Sequence, residues 1–299
     1  MVKLTTYNKA ILGLCVVALC FVVLSIGVRW MSEGFGPFTQ VYLRVGGAFL
    51  LALLLYYKKI RFANLRKISR KDWMLLIIMG TIGYGIAIIF VTLSVLHTTL
   101  LNVAVIGSTV PFFALLYMYI ITRKPIKPIL LLFLVISFIG VYLITTKSLS
   151  LVIHNFGFGE LCALLFAAGS GAFVVSRGFI SKKLSNIEIT VIIIFIAFVS
   201  SFIGAMVMGE KLNVSGFSNP LAMLGLITGI ILNIVATQLQ NFGFEHVNPV
   251  TGSQLLLLQN VFAPVLGFFF YNETVLPIEF LGAAFILFGV IGYYRKAGH

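Results

Sequence analysis

The side chains best placed to do chemistry in this sequence are polar groups in the middle of long apolar runs. Tyr84 and Asn233 lead them, with Gly83 and Gly85 flanking the tyrosine and leaving room for another backbone or a ligand to come close. Asn233, Thr237 and Asn241 recur every four residues, so on a helix they share one face. Gln254, Gln259 and Asn260 add amides further on, Asn102, Ser108 and Thr109 do the same earlier, and Ser170 lies between Gly169 and Gly171. Neutral donors and acceptors of this kind bind the amine and carboxylate of a zwitterion without burying a fixed charge. In hydrocarbon they also hold helices together, which is the competing structural role. The expected substrate contacts are Tyr84, Asn102, Ser170, Asn233, Thr237 and Gln254. No catalytic residue, metal ligand or cofactor is expected.

Charged candidates are few. Arg44 is the one basic residue clearly inside an apolar run, where an arginine at a helix centre costs about 2.5–3.5 kcal/mol. The expected account is a side chain snorkelling to the outer interface; the sharper one is a carboxylate-binding group in an outward vestibule. His97 and His246 fall at equivalent ends of apolar runs and are expected to be structural. Glu160 and Glu273 fall near outer ends. With no acidic residue at the centre of any run, facilitated or exchange transport is favoured over proton coupling.

The elements that position these groups follow from composition. Of 299 residues 60% are hydrophobic and 10% charged, and the mean hydropathy is +1.11. A soluble domain carries roughly 25% charged residues, so lipid is the solvent this surface requires. Runs of about 20 apolar residues, the length that crosses a bilayer, fall near 10–29, 37–57, 73–95, 99–122 and 128–146. Five more fall near 158–178, 188–209, 220–242, 250–271 and 276–294. Pro37, Pro125, Pro128, Pro220, Pro249 and Pro277 mark their ends. Segments such as 58–71 and 123–127 are rich in Lys and Arg, whereas alternate segments hold Arg29, Lys147 and Lys211. The positive-inside rule therefore places both termini in the cytoplasm. The net charge of +13 is a topology signal, which removes nucleic acid as a partner. Cys15, Cys20 and Cys162 lie inside apolar runs without metal-ligand spacing and are expected to pack.

Sliding the chain against itself by 149 residues places Tyr84 on Asn233. The same register puts Gly80 on Gly229, His97 on His246, Phe113-Ala114 on Phe262-Ala263, Pro128 on Pro277 and Gly140-Val141 on Gly289-Val290. Residues 1–149 and 150–299 are thus expected to be two repeats. Each holds an odd number of spans, so the second enters the membrane inverted, a recurrent design of secondary transporters.

Two stretches carry a family resemblance. One is Gly159-Glu160 with Ala163, Leu164, Ala167, Ala168 and Ala172. The other runs from Ser253 through Val261-Phe262-Ala263, Gly267, Glu273 and Leu281-Gly282-Ala283 to Gly289-Val290. The chain resembles the ten-helix EamA-type permeases of the drug/metabolite transporter superfamily over nearly its whole length. It departs from the family pattern at Asn260, where a proline is usual and Pro264 follows one turn later, and at Lys124, the first-half counterpart of Glu273. The resemblance implies export or uptake of amino acids, nucleobases or other metabolites.

No GxxxxGK[ST] loop, HExxH or Gly-x-Ser-x-Gly is present, so neither an ATP-driven pump nor a membrane hydrolase is supported. The expectation is an all-α integral membrane protein of ten transmembrane helices in two inverted five-helix repeats, multi-pass in a plasma membrane of the bacterial inner-membrane type. It would be a secondary transporter of a small polar metabolite, with amino-acid export as the leading cargo. The halves would rock around a midplane cavity lined by the third, fourth, sixth, eighth and ninth spans. An exchanger importing a nucleotide-like or cofactor metabolite is the alternative; a membrane enzyme or scaffold is the alternative of another class. Partners would be a small-molecule substrate and the bilayer, and a homodimer is compatible with the sequence.

Overall fold

The computed structural model describes residues 5–60, 68–147, 156–271 and 274–297, so Glu273 and the basic residues Lys3, Arg61, Arg66 and Lys67 lie outside the described residues. Ten helices are long and apolar enough to cross a membrane. They are α1 (Thr6–Met31), α2 (Pro37–Tyr56), α3 (Arg70–Gly80, Thr81–Ile86 and Ala87–His97), α4 (Leu100–Gly107 and Val110–Thr122) and α5 (Pro128–Thr146). The second set is α6 (Phe158–Phe179), α7 (Asn186–Val207), α8 (Pro220–His246), α9 (Pro249–Leu256 and Gln259–Tyr271) and α10 (Pro277–Ala297).

Local chemistry sets the helix starts. Pro37, Pro128, Pro220, Pro249 and Pro277 each open a helix, where a missing N–H costs nothing. Ser69 with Asp72, and Ser185 with Glu188, form capping boxes that satisfy the first free N–H groups of α3 and α7. Large apolar side chains such as Leu50, Leu54, Val207, Phe280 and Phe288 are exposed, as lipid contact requires.

Three helices are irregular where continuous spans were expected. Thr81–Ile86 of α3 is π-helical, and Tyr84 sits in it. The α4 ladder breaks at Ser108 and Thr109, because Pro111 has no N–H and its ring crowds the Gly107 carbonyl. The two hydroxyls turn back to donate to the carbonyls of Val105 (2.7 Å) and Ile106 (2.6 Å). The α9 break, at Leu257 and Leu258, falls at the equivalent place in the second repeat. There Asn260 stands in place of proline and its Nδ2 donates to the Leu257 carbonyl at 3.1 Å.

Packing interleaves the two repeats. α1 packs on α8 and α3 on α6, α2 pairs with α7, and α5 pairs with α10. Exchanging the halves maps this pattern onto itself. Glycines allow the tightest seams: a Cβ on Gly282 would lie 2.6 Å from the Gly140 carbonyl oxygen, so α5 and α10 meet backbone to backbone. Two five-helix halves rocking as separate bodies, as expected above, would have to tear these seams open.

Candidate substrate site

The centre of the molecule is built where α2, α3, α6 and α8 meet. Gly83 lets the π-helical turn lie against α6, where a Cβ would sit 2.6 Å from that of Phe173. This close approach sets the Tyr84 ring beside the Phe173 ring, with centroids 6.3 Å apart. The Tyr84 hydroxyl donates to Asn233 Oδ1 at 2.5 Å, across the two repeats and between equivalent positions. Asn233 in turn donates through Nδ2 to the Gly229 carbonyl one turn earlier at 2.6 Å. Thr237 is within hydrogen-bonding reach of the same tyrosine hydroxyl. On the same α8 face, Asn241 Nδ2 donates to Thr190 Oγ1 of α7 at 2.9 Å, while its Oδ1 is buried without a partner.

Arg44 joins this centre, which corrects the snorkelling expectation. Its stem lies across Gly229, where a Cβ would sit 2.6 Å from Arg44 Cδ. The missing side chain at Gly229 opens a slot toward the core, and the arginine takes it instead of reaching for the interface. Its Nε is buried with no hydrogen-bond partner, and the guanidinium is close enough to Tyr84 to interact with it electrostatically. The sequence ranks snorkelling first because the slot belongs to α8; the signal for the inward course is the glycine one turn before Asn233.

The other expected contacts distribute differently. Gln254 is 1% exposed, and both its amide atoms lack hydrogen-bond partners. It lies in the first segment of α9, just before the break, on a segment that packs against α1, α4 and α6. Ser170 is partly buried between Gly169, seated on the Ile82 carbonyl, and Gly171, seated on Phe113. Asn102 is not brought to the Tyr84–Asn233 pair. Its Nδ2 donates to Glu160 Oε1 (2.7 Å) and Thr98 Oγ1 (2.9 Å) at the start of α6, and Thr98 donates to the same carboxylate oxygen. Glu160 draws Asn102 there because its carboxylate also caps α6 through the Gly157 N–H at 3.0 Å. His97 stacks edge-on to Phe158, and His246 contacts the Phe242 carbonyl through Nδ1 at 2.9 Å.

Two cavities lie along α4, α5, α9 and α10. One, of about 270 Å³, is lined by Arg29, Ala104, Ile144, Pro264 and Glu279; the other, of about 260 Å³, by Leu115, Thr122, Leu130, Asn248 and Tyr293. The repeat register carries Leu115 onto Pro264, Leu130 onto Glu279 and Ile144 onto Tyr293. The cavities are therefore counterparts, both bordered by α4, α5, α9 and α10, with α1 also lining the first. Neither is lined by Tyr84 or Asn233. The Gly83–Phe173 and Gly229–Arg44 approaches narrow the centre, where Tyr84 and Arg44 remain partly exposed.

Ties hold both membrane faces. Glu210 accepts from the N–H groups of Phe38 (3.0 Å) and Thr39 (2.7 Å) at the start of α2, and Lys147 pairs with the buried Glu279 at 3.5 Å. At the other face Ser181 donates twice to Asp72, at 2.9 Å from N and from Oγ, and Arg177 pairs with Glu245 at 2.9 Å.

Ten apolar helices in two similar halves, closed around a polar centre, define a multi-pass membrane protein of the transporter class. The EamA-like transporter family model matches residues 8–146 and again 157–295, and the chain belongs to that family. The two matches differ by the same 149 residues that separate Tyr84 from Asn233. The chain is 23% identical over 250 residues to an uncharacterized transporter of Synechocystis sp., covering 81% of this chain and 71% of that protein. It is 25% identical over 237 residues to an uncharacterized transporter of Clostridium kluyveri, covering 77% and 75%. One solved crystal structure superimposes with a TM-score of 0.77 at 12% identity, covering 98% of this chain and 99% of the other, a likeness of fold.

Proposed function

We propose that this membrane transporter moves a small polar metabolite by alternating access, with amino-acid export as the leading cargo. Both termini would be cytoplasmic in a bacterial inner membrane, following the distribution of Lys and Arg. The second repeat is inverted relative to the first, as an odd number of spans per repeat requires. The observation that carries the reading is the Tyr84–Asn233 contact: equivalent polar residues of the two repeats meet inside the bundle. Opening a path from one face to this pair, while the other face stays closed, exposes the same polar groups to each side in turn.

The broken helices are the parts suited to that movement. α4 and α9 border both cavities and are interrupted at equivalent positions, so their segments tilt without breaking a continuous ladder. The seams between α5 and α10 and between α1 and α8 stay as the frame. The test is flux into proteoliposomes of the purified chain, with a panel of labelled amino acids, with and without an imposed pH gradient. Saturable flux independent of the gradient, lowered about tenfold by Asn233→Ala at equal protein content, is the expected result. Wild-type rates in Asn233→Ala would remove that residue from the site.

A further inference from the structure

We propose that Arg44 is the anion-binding group of the central site and restricts the cargo to molecules bearing a carboxylate or similar monoanionic group. The inference rests on the transport reading but moves the leading cargo from a zwitterionic amino acid to a carboxylic acid. Arg44 enters the membrane about 10 Å from the start of α2, at the 1.5 Å rise per residue of a helix. Its stem is clamped over Gly229, whose carbonyl is already taken by Asn233 Nδ2. Among the described residues it forms no ion pair, and its buried Nε forms no hydrogen bond.

A counter-ion is missing from the protein itself. Among the described residues the acidic groups lie in first turns (Asp72, Glu160, Glu188, Glu279), a last turn (Glu245) or connecting loops (Glu33, Glu210). Several of these are committed: Asp72 to Ser181, Glu160 to Thr98 and Asn102, Glu210 to the start of α2, and Glu245 to Arg177. Arg177 shows how the same chain treats an arginine whose role is structural. Its guanidinium holds a carboxylate at 2.9 Å and the Asn186 amide oxygen at 2.5 Å. Arg44 has neither kind of partner, although its side chain is only partly exposed and an unpaired cation inside a membrane is costly.

The neighbours of Arg44 fit an acid better than a zwitterion. Tyr84 lies within electrostatic reach of the guanidinium, and Asn233, Thr237 and the Phe173 ring lie around that tyrosine. No carboxylate among the described residues stands by to receive an ammonium group. A bound monoanion makes the site neutral; the empty site keeps one uncompensated positive charge. Passage through the closed state is therefore easier loaded than empty, and exchange of one acid for another is faster than net flux.

The test is titration of the full-length protein in nanodiscs with lactate, 4-methylpentanoate and phenylacetate, each beside its uncharged amide. At least one acid is expected to bind wild type about ten- to a hundred-fold more tightly than its amide, the range of a charge-assisted hydrogen bond. Arg44→Gln should abolish that preference while leaving amide binding unchanged, and Arg44→Lys should keep part of it. Unfolding temperature without ligand should be no lower in Arg44→Gln, because no partner is orphaned. If no acid outbinds its amide, or if the preference survives in Arg44→Gln, the inference fails. Flux of the best-binding acid in proteoliposomes separates this from the transport reading. Acid-selective binding without flux counts against transport and leaves the anion site standing, whereas flux without acid selectivity does the reverse.

Discussion

A tyrosine hydroxyl 2.5 Å from an asparagine oxygen, at the same position of two repeats, is either a pin between helices or a site that a solute borrows. The two roles separate in Tyr84→Phe. Interhelical hydrogen bonds in membrane proteins average about 0.6 kcal/mol, so a pin alone predicts a small loss of stability and unchanged flux. Our account predicts that same small loss together with roughly tenfold slower transport, read by thermal unfolding and flux on one preparation. Unchanged flux would reduce the pair to a pin. Tyr84 and Asn233 were legible in the sequence, because polar residues stand out in apolar runs and the repeat register joins them. Arg44 was misread for a physical reason: whether an arginine snorkels or turns inward depends on what faces it, and here that is a glycine on α8. Asn102 was misplaced because its partner Glu160 lies on another helix at the membrane face.

Helix existence and order were carried by apolar run length and by prolines, and the ten spans fall close to where those signals put them. The irregularities were harder to see. The α4 break had a visible cause in Pro111, but its α9 counterpart has Asn260 there, so the break is held by tertiary packing as well as by local chemistry. The π-helical turn at Tyr84 depends on Gly83 fitting Phe173 and Gly85 fitting Ser200, contacts between distant parts of the chain. At this scale the sharpest prediction concerns the α5–α10 seam. Gly282→Leu would drive a side chain into the Gly140 carbonyl and Ile144, and overpacking of a filled interface costs about 1–3 kcal/mol or more. Thermal unfolding in detergent should show a lower midpoint, with Gly282→Ala intermediate. An unchanged midpoint in Gly282→Leu would mean that the seam is looser than its geometry.

For the whole molecule, the repeat and its register were legible, whereas the way the halves interlock was not. Sequence similarity says that two units are alike; it does not say that α1 packs on α8 and α3 on α6. We propose that a frame and two broken helices take the place of two rocking halves, and this sets what a decisive experiment must see. Thr122 lines one cavity and Thr145 the other. In a chain with Cys15, Cys20 and Cys162 replaced, Thr122→Cys and Thr145→Cys should each react with a membrane-impermeant maleimide from opposite faces of a proteoliposome. Saturation with a transported compound should raise labelling at one position and lower it at the other. Labelling that rises or falls at both positions together, or that does not respond, would contradict alternating access around the Tyr84–Asn233 centre.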